Sequence, residues 1–181
     1  MSGRTPEPAL AAQRVDELVR LVPDYPEPGV LFRDITPLLA DADALADVVA
    51  AMARAAGPVD LVAGMEARGF LLAAPIAVAL GAGLVPVRKA GKLPGPVLAE
   101  SYALEYGSAT VEIHPATVRA GARVLVVDDV LATGGTAAAT VRLLERCGAS
   151  VVALSFLVEI EALGGRGRLE GHDVSAIVTV P

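Results

Sequence analysis

The sequence is poor in aromatic residues and in cysteine. Phe, Tyr and Trp make up 3% of the 181 residues, and Trp is absent. Such a chain lacks the aromatic platforms on which single-stranded nucleic acids stack, and its net charge of −6 argues against general binding to nucleic acids or anionic membranes. The single cysteine, Cys147, excludes an intramolecular disulfide and fits a reducing compartment. Because the first residues also lack the apolar core of a secretion signal, we expect a cytoplasmic protein.

Lysine is scarce as well. The only two lysines, Lys89 and Lys92, are three residues apart. Their placement indicates a local cationic site for a small polyanionic ligand, which the acidic whole does not exclude. The alternative is that arginine has replaced lysine elsewhere for reasons of genome composition.

One uncharged run, residues 69–87, is long enough to raise the question of a membrane span. Arg68 and Arg88 flank it on both sides, so the flanks carry no orientation signal. Four residues that break regular structure interrupt the run: Pro75, Gly81, Gly83 and Pro86. A buried helix followed by a buried strand explains the run better than a membrane helix, and we expect no membrane partner.

The remaining pattern alternates helices with short apolar strands. Apolar spacing predicts helices over residues 10–21, 41–56, 70–80 and 136–147, and apolar runs predict strands over 61–63, 84–87, 124–127, 151–158 and 177–180. Residues 29–37 are expected to be extended or a loop, and residues 1–8 disordered. This order predicts an α/β fold with a mostly parallel central sheet flanked by helices, in a single domain over residues 1–181.

Residues 88–107 break the alternation. They contain Gly91, Pro94, Gly95 and Pro96, followed by alternating residues suited to a hairpin. A long segment of this composition inside a compact domain is typical of a functional flap, and we expect a flexible lid. The alternative is an ordinary solvated loop.

The most specific signal is residues 124–136, in which a buried strand is followed by Asp128 and Asp129, a loop of small residues and a helix. Ligands of parallel sheets bind at the carboxyl ends of strands. The loop residues offer backbone amides, hydroxyls and a helix N-terminus, which together suit a monophosphate: Ala132, Thr133, Gly134, Gly135 and Thr136. No lysine follows the glycines, so this is not a Walker loop. The two acids suit ribose hydroxyls or Mg²⁺; alternatively they only cap a helix in solvent.

Residues 124–136 resemble the phosphoribosyl pyrophosphate signature of the type I phosphoribosyltransferases. The resemblance implies that family's fold, with a lid or hairpin and a small N-terminal hood. It also implies that Asp128 and Asp129 contact ribose hydroxyls and that residues 132–136 hold the 5-phosphate. Three further segments, 29–37, 64–70 and 88–107, resemble the adenine phosphoribosyltransferases of this family in the same order. The four segments lie within about Tyr25 to Val158.

The resemblance assigns the remaining roles. Leu31, Phe32 and Arg33 would read adenine, although Phe32 alone fits a core position equally well. Glu105 and Arg68 would be catalytic, Glu105 by exchanging a proton with the purine ring; by spacing alone Glu105 is an outward strand residue. Pyrophosphate would be bound by a turn that often holds a cis peptide and by lid cations: Glu66, Ala67, Arg68, Arg88, Lys89 and Lys92. By composition alone Arg68 is a surface arginine.

The implied reaction joins adenine and phosphoribosyl pyrophosphate to give AMP and pyrophosphate. Mg²⁺ would be held mainly by the substrate, with help from Asp128 and Asp129, and the protein would be a homodimer. The rivals are a transferase of the same fold that acts on xanthine, guanine or orotate, and a regulator that senses the ligand without chemistry. A regulator usually carries a nucleic-acid-binding domain or a basic face, and the sequence shows neither.

Overall fold

The computed structural model describes residues 8–54, 56–103 and 107–181. The helices of this part are α1 Pro8–Leu18, α2 Thr36–Ala40, α3 Ala42–Arg54, α4 Gly69–Leu80 and α5 Gly135–Arg146, with short 3-10 helices at Pro115–Thr117, Glu161–Leu163 and Gly165–Leu169. The strands are β1 Arg20–Pro23, β2 Leu31–Asp34, β3 Leu61–Met65, β4 Gly83–Lys89, β5 Leu98–Ala103, β6 Ser108–Ile113, β7 Arg123–Leu131, β8 Ser150–Ile160 and β9 Val174–Val180.

The central sheet has seven strands in the order β5-β6-β4-β3-β7-β8-β9. The pairs β3–β4, β3–β7, β7–β8 and β8–β9 are parallel, and only the β5–β6 hairpin and its junction with β4 are antiparallel. The predicted α/β fold with a mostly parallel sheet is confirmed. Because β3 and β7 are neighbours and run in the same direction, the turns that follow them meet at one edge of the sheet.

Both faces of the sheet are buried, which explains its continuous apolar strands. Successive β7 residues alternate between two cores, with Val124 and Val126 in one and Leu125 and Val127 in the other. The first core is covered by α5, and the second by α1, α3 and α4. Cys147 packs at the end of α5 against the first core.

A separate two-stranded antiparallel sheet, β1–β2, forms the N-terminal hood. Arg20 pairs with Asp34 across it, and their side chains form an ion pair of 2.6 Å. The helix predicted over 10–21 is therefore too long: α1 ends at Leu18, and the following residues join the hood. Cross-strand pairing and Pro23 override the helical spacing there.

One other prediction needs correction. The strand expected to stop before the two acids continues through Asp128 and Asp129 to Leu131, because β8 supplies backbone partners as far as Glu159. The hairpin expected after the glycines and prolines of residues 88–107 is present: β5 and β6 pair with each other and extend the central sheet. The disorder expected at the N-terminus concerns mainly residues 1–7, which lie outside the described residues.

The uncharged run 69–87 forms α4 and most of β4, separated by Gly81 in a left-handed conformation. This outcome confirms the helix followed by a strand. Across the described ranges, no helix has the length and hydrophobicity that crossing a bilayer requires.

Candidate active site

An open cleft with a volume of about 760 Å³ lies where β3 and β7 end and the hood faces them. Its walls contain most of the residues singled out in the sequence: Leu31, Phe32, Arg33, Glu66, Ala67, Arg68, Lys89, Asp128, Asp129 and Ala132. The topology thus brings together four segments far apart in the chain, at residues 31–33, 66–68, 89 and 128–132. Arg88 and Lys92 do not line this cleft.

A smaller cavity of about 80 Å³ adjoins the cleft and shares Asp128 and Ala132 with it. It is lined by the predicted phosphate loop: Thr133, Gly134, Gly135 and Thr136. Gly134 has φ 75°, a left-handed conformation that favours glycine, and it precedes the first residue of α5. The free amides of the helix start therefore face a small space that suits a single phosphate group.

The loop is supported from behind by the segment after β8. A Cβ atom on Gly134 would lie 2.4 Å from the carbonyl oxygen of Gly165, and a Cβ on Gly165 would lie 2.1 Å from that of Ala132. Only glycine allows the two backbones to approach so closely. This support cannot be predicted from the sequence, because the segment around Gly165 carries no signal that links it to the loop.

The surroundings of Asp128 and Asp129 raise the pKa of both carboxyl groups. Burial and the neighbouring charge of Asp129 raise the pKa of Asp128 well above its ordinary value. Burial also raises the pKa of Asp129, against the opposing charge of Arg68. Oδ2 of Asp129 is buried and accepts no hydrogen bond from the described residues; Arg68 Nε lies 2.8 Å away as an ion pair, but its N–H is not aligned for a hydrogen bond. Such a pair gains from a ligand that brings hydroxyl donors or a cation, so it fits ribose and Mg²⁺ chemically.

Within the residues that the structure describes, no group of three or more His, Cys, Asp or Glu side chains could hold a metal ion. The acid pair can therefore add at most two carboxylates to an ion that the substrate coordinates.

Arg68 joins the three walls of the cleft. Its Nε lies 2.8 Å from Oδ2 of Asp129, and an Nη donates to the Arg33 carbonyl oxygen at 3.2 Å. Its guanidinium carbon is 4.6 Å from the centre of the Phe32 ring, a cation–π distance. These contacts engage Arg68 within the cleft rather than leaving it free on the surface. The peptide bond between Glu66 and Ala67 is cis.

Glu66 organises the cations of the lid. It accepts hydrogen bonds from Lys92 Nζ at 2.6 Å, the Lys89 amide at 2.8 Å and Arg88 Nε at 3.1 Å. Burial acts to raise the pKa of Glu66, but these hydrogen bonds outweigh it and lower the pKa to about 2. Glu66 thus remains ionised and fixes Arg88 and Lys92 beside the cleft. In this arrangement the two side chains contact a carboxylate rather than an open anion site.

Phe32 and a residue not singled out in the sequence share the hood wall. The ring centres of Tyr25 and Phe32 are 5.1 Å apart in an edge-to-face arrangement, and both residues line the cleft. Phe32 belongs to neither buried core, so the cleft position, not the core position, describes it. The sequence carries no local signal that would place Tyr25 in the cleft.

The catalytic assignment of Glu105 lies outside the described residues, together with Leu104 and Tyr106. The structure shows the strands that lead to it and away from it, β5 and β6. The role of Glu105 stays a prediction.

Comparison with known proteins places this geometry in a family. The phosphoribosyl transferase domain family matches residues 35–177. An adenine phosphoribosyltransferase of Clavibacter michiganensis subsp. michiganensis is 59% identical over 170 residues, covering 94% of this chain and 97% of that protein. The chain belongs to the adenine phosphoribosyltransferase family.

Solved structures of the family have the same fold. The adenine phosphoribosyltransferase of Thermoanaerobacter pseudethanolicus superposes with a TM-score of 0.90 at 45% identity, covering 93% of this chain and 99% of that chain. The Saccharomyces cerevisiae enzyme, crystallised with adenine and an imino-altritol bisphosphate, gives a TM-score of 0.88 at 37% identity, covering 94% and 99%. The family expectation drawn from residues 25–158 is confirmed over nearly the whole chain.

Proposed function

We propose that this chain is a purine salvage enzyme that transfers the 5-phosphoribosyl group from phosphoribosyl pyrophosphate to N9 of adenine, giving AMP and pyrophosphate. The observation that carries the proposal is the single cleft in which Arg68 links the hood, the turn after β3 and the acid pair of β7. The identity to adenine phosphoribosyltransferases over nearly the full chain supports the same function.

The two cavities would bind different chemical groups of the substrates. The small cavity at the start of α5 suits the 5-phosphate, and the neighbouring Asp128 and Asp129 accept hydrogen bonds from the ribose hydroxyls. The hood then receives the base next to Phe32. Backbone N–H and C=O groups between Leu31 and Arg33 would pair with N1 and the 6-amino group of adenine, a pattern that 6-oxo purines do not match.

The proposed reaction step moves charge from the ribose to the leaving pyrophosphate. The bond between C1 and pyrophosphate breaks with both electrons on the leaving oxygen, while the N9 lone pair of adenine forms the new bond to C1. Positive charge builds on the ribose, as in glycoside chemistry, and the half-buried Asp128 and buried Asp129 lie beside it. Arg68 and Lys89 at the cleft, with Arg88 and Lys92 beside it, balance the departing negative charge.

Two groups complete the proposed chemistry. Magnesium, held mainly by the substrate with help from Asp128 and Asp129, would supply further positive charge at the leaving group. Glu105 would exchange a proton with the imidazole ring of adenine, accepting the proton that the ring loses as the N9 lone pair bonds to C1. No covalent enzyme intermediate is needed.

We further propose that the protein is a cytoplasmic homodimer. Helix α4 is apolar on both sides: Leu72 and Ile76 are fully buried, whereas Leu71 and Val78 are 52% and 84% exposed on the other side. A helix that is apolar all round is normally covered on all sides. We assign the outward face of α4 to a second copy of the chain, which agrees with the homodimer implied by the family resemblance.

The decisive assay offers the purified protein phosphoribosyl pyrophosphate, Mg²⁺ and one base at a time. We expect AMP from adenine, and rates with guanine, hypoxanthine, xanthine or orotate lower by on the order of 10⁴. Addition of a chelator in excess of Mg²⁺ is the control for the metal and should abolish turnover. Failure to form AMP, or comparable rates with a 6-oxo base, would contradict the proposal.

A further inference from the structure

The β5–β6 hairpin is fastened to the helix that begins at the phosphate loop. Side chains of β5 alternate, and Leu98, Glu100 and Tyr102 lie on its more buried side. Glu100 accepts hydrogen bonds from Arg142 at 2.6 Å and Arg146 at 2.8 Å, both on α5. The hairpin therefore has a defined position over α5.

Tyr102 extends this contact to the loop itself. Its hydroxyl is 2.8 Å from Oγ1 of Thr136, and the two form a hydrogen bond. Its ring lies against the first residue of α5, since a Cβ on Gly135 would be 2.9 Å from Cδ2 of Tyr102. Both Gly135 and Thr136 line the small cavity. A side chain of the hairpin thus touches two residues of the candidate phosphate site.

We propose that Tyr102 is a positioning residue that aims the hydroxyl proton of Thr136 at the 5-phosphate. A hydroxyl has one proton to donate and two lone pairs that accept. A bound phosphate accepts only, so the Thr136 proton must go to the phosphate, and Tyr102 must then donate to Oγ1 of Thr136. Such chains of hydrogen bonds strengthen one another away from bulk water. The structure already holds the Tyr102 oxygen in place for this arrangement.

The inference rests on the proposed function, since it deepens the same site. It also gives β5 a role: the strand that carries Tyr102 continues directly toward residues 104–106. Phosphate binding at Thr136 and the position of the hairpin are then linked through one hydrogen bond.

The test is the Tyr102→Phe variant, which removes the tyrosine hydroxyl but leaves the aromatic ring in contact with Gly135. Phosphoribosyl pyrophosphate binding is measured by calorimetry, and KM for both substrates by steady-state kinetics. We expect the dissociation constant and KM for phosphoribosyl pyrophosphate to rise about threefold to tenfold, the loss of one hydrogen bond, with KM for adenine unchanged. Ser101→Ala is the matched control: among the described residues the Ser101 hydroxyl bonds to Thr110 of the hairpin and not to the phosphate loop, so its loss should leave both constants unchanged.

A double-mutant cycle separates positioning from general stability. In a Thr136→Val background, Tyr102→Phe should have no further effect on phosphoribosyl pyrophosphate binding, because Tyr102 acts through the Thr136 hydroxyl. Wild-type binding by Tyr102→Phe, equal losses for both substrates, or additive losses in the cycle would each overturn the inference. If the wild-type protein forms AMP while any of these results holds, the proposed function stands and only the role of Tyr102 falls.

Discussion

Gly134→Ala tests the phosphate loop at the point where its backbone has least room. Gly134 has φ 75°, and an added Cβ would lie 2.4 Å from the carbonyl oxygen of Gly165. The obstacle is backbone, which cannot rotate away as a side chain can. The loop or the segment behind it must therefore move before alanine fits.

The expected effect of Gly134→Ala has two parts, a loss of stability and a loss of activity. A left-handed alanine costs about 1–2 kcal/mol, or a fall in Tm of roughly 2–8 °C for a chain of this length. Relief of the overlap needs a shift of about 1 Å, and a misplacement of that size near reacting groups can lower a rate about 100-fold. Gly164→Ala is the matched control: Gly164 has φ 62°, but nothing lies within 4 Å of its added Cβ.

The assay is kcat/KM for phosphoribosyl pyrophosphate at saturating adenine, with Tm measured in parallel. Both variants should lose stability from the left-handed alanine. Only Gly134→Ala should lose about 100-fold in kcat/KM, whereas Gly164→Ala should stay within about twofold because its side chain displaces nothing. Equal kcat/KM values for the two variants would refute the reasoning that this backbone contact shapes the phosphate site.

Three further results are expected. Burial and the charge of Asp129 raise the pKa of Asp128, so ionisation of Asp128 destabilises the ligand-free protein as pH rises through that raised pKa. Asp128→Asn should therefore raise Tm by about 2–4 °C near pH 8, and by less near pH 5. The same variant should bind phosphoribosyl pyrophosphate more weakly in calorimetry. The pKa of Glu66 is lowered from 4.5 to about 2, so its ion pairs stabilise the fold above its ordinary pKa and lose that effect as pH falls toward 2; thermal melts should show a smaller acid-side decline for Glu66→Gln than for wild type. Val78→Asp, on the outward face of α4, should shift the mass in multi-angle light scattering from dimer to monomer, and an unchanged dimer would move the interface elsewhere.

Local sequence was sufficient for the parts of the site that lie in one segment. The strand, the acids and the loop of residues 124–136 are continuous in the chain, and each follows from apolar pattern, carboxylates and small residues. The structure brings the predicted loop residues together at one cavity. The end of the strand could not be predicted in the same way, because β7 continues to Leu131 through backbone pairing with β8, a distant segment.

Contacts between distant segments could not be predicted from the sequence. Arg68 reads as an ordinary turn arginine, and only the fold shows it against Phe32 and the Arg33 carbonyl. Neither Gly165 nor Tyr102 has a local sequence pattern typical of phosphate binding. Yet Gly165 contacts Gly134, 31 residues earlier in the chain, and Tyr102 contacts Thr136, 34 residues later. Such pairings depend on how the sheet orders its strands, which periodicity does not specify.

A crystal structure of the protein with AMP tests the central claim most directly. We expect one AMP molecule across both cavities, with its phosphate on the amides and hydroxyls of residues 133–136, its ribose hydroxyls on Asp128 and Asp129, and its base beside Phe32. AMP bound elsewhere, or bound in the cleft with its phosphate away from the loop, would contradict the proposed site.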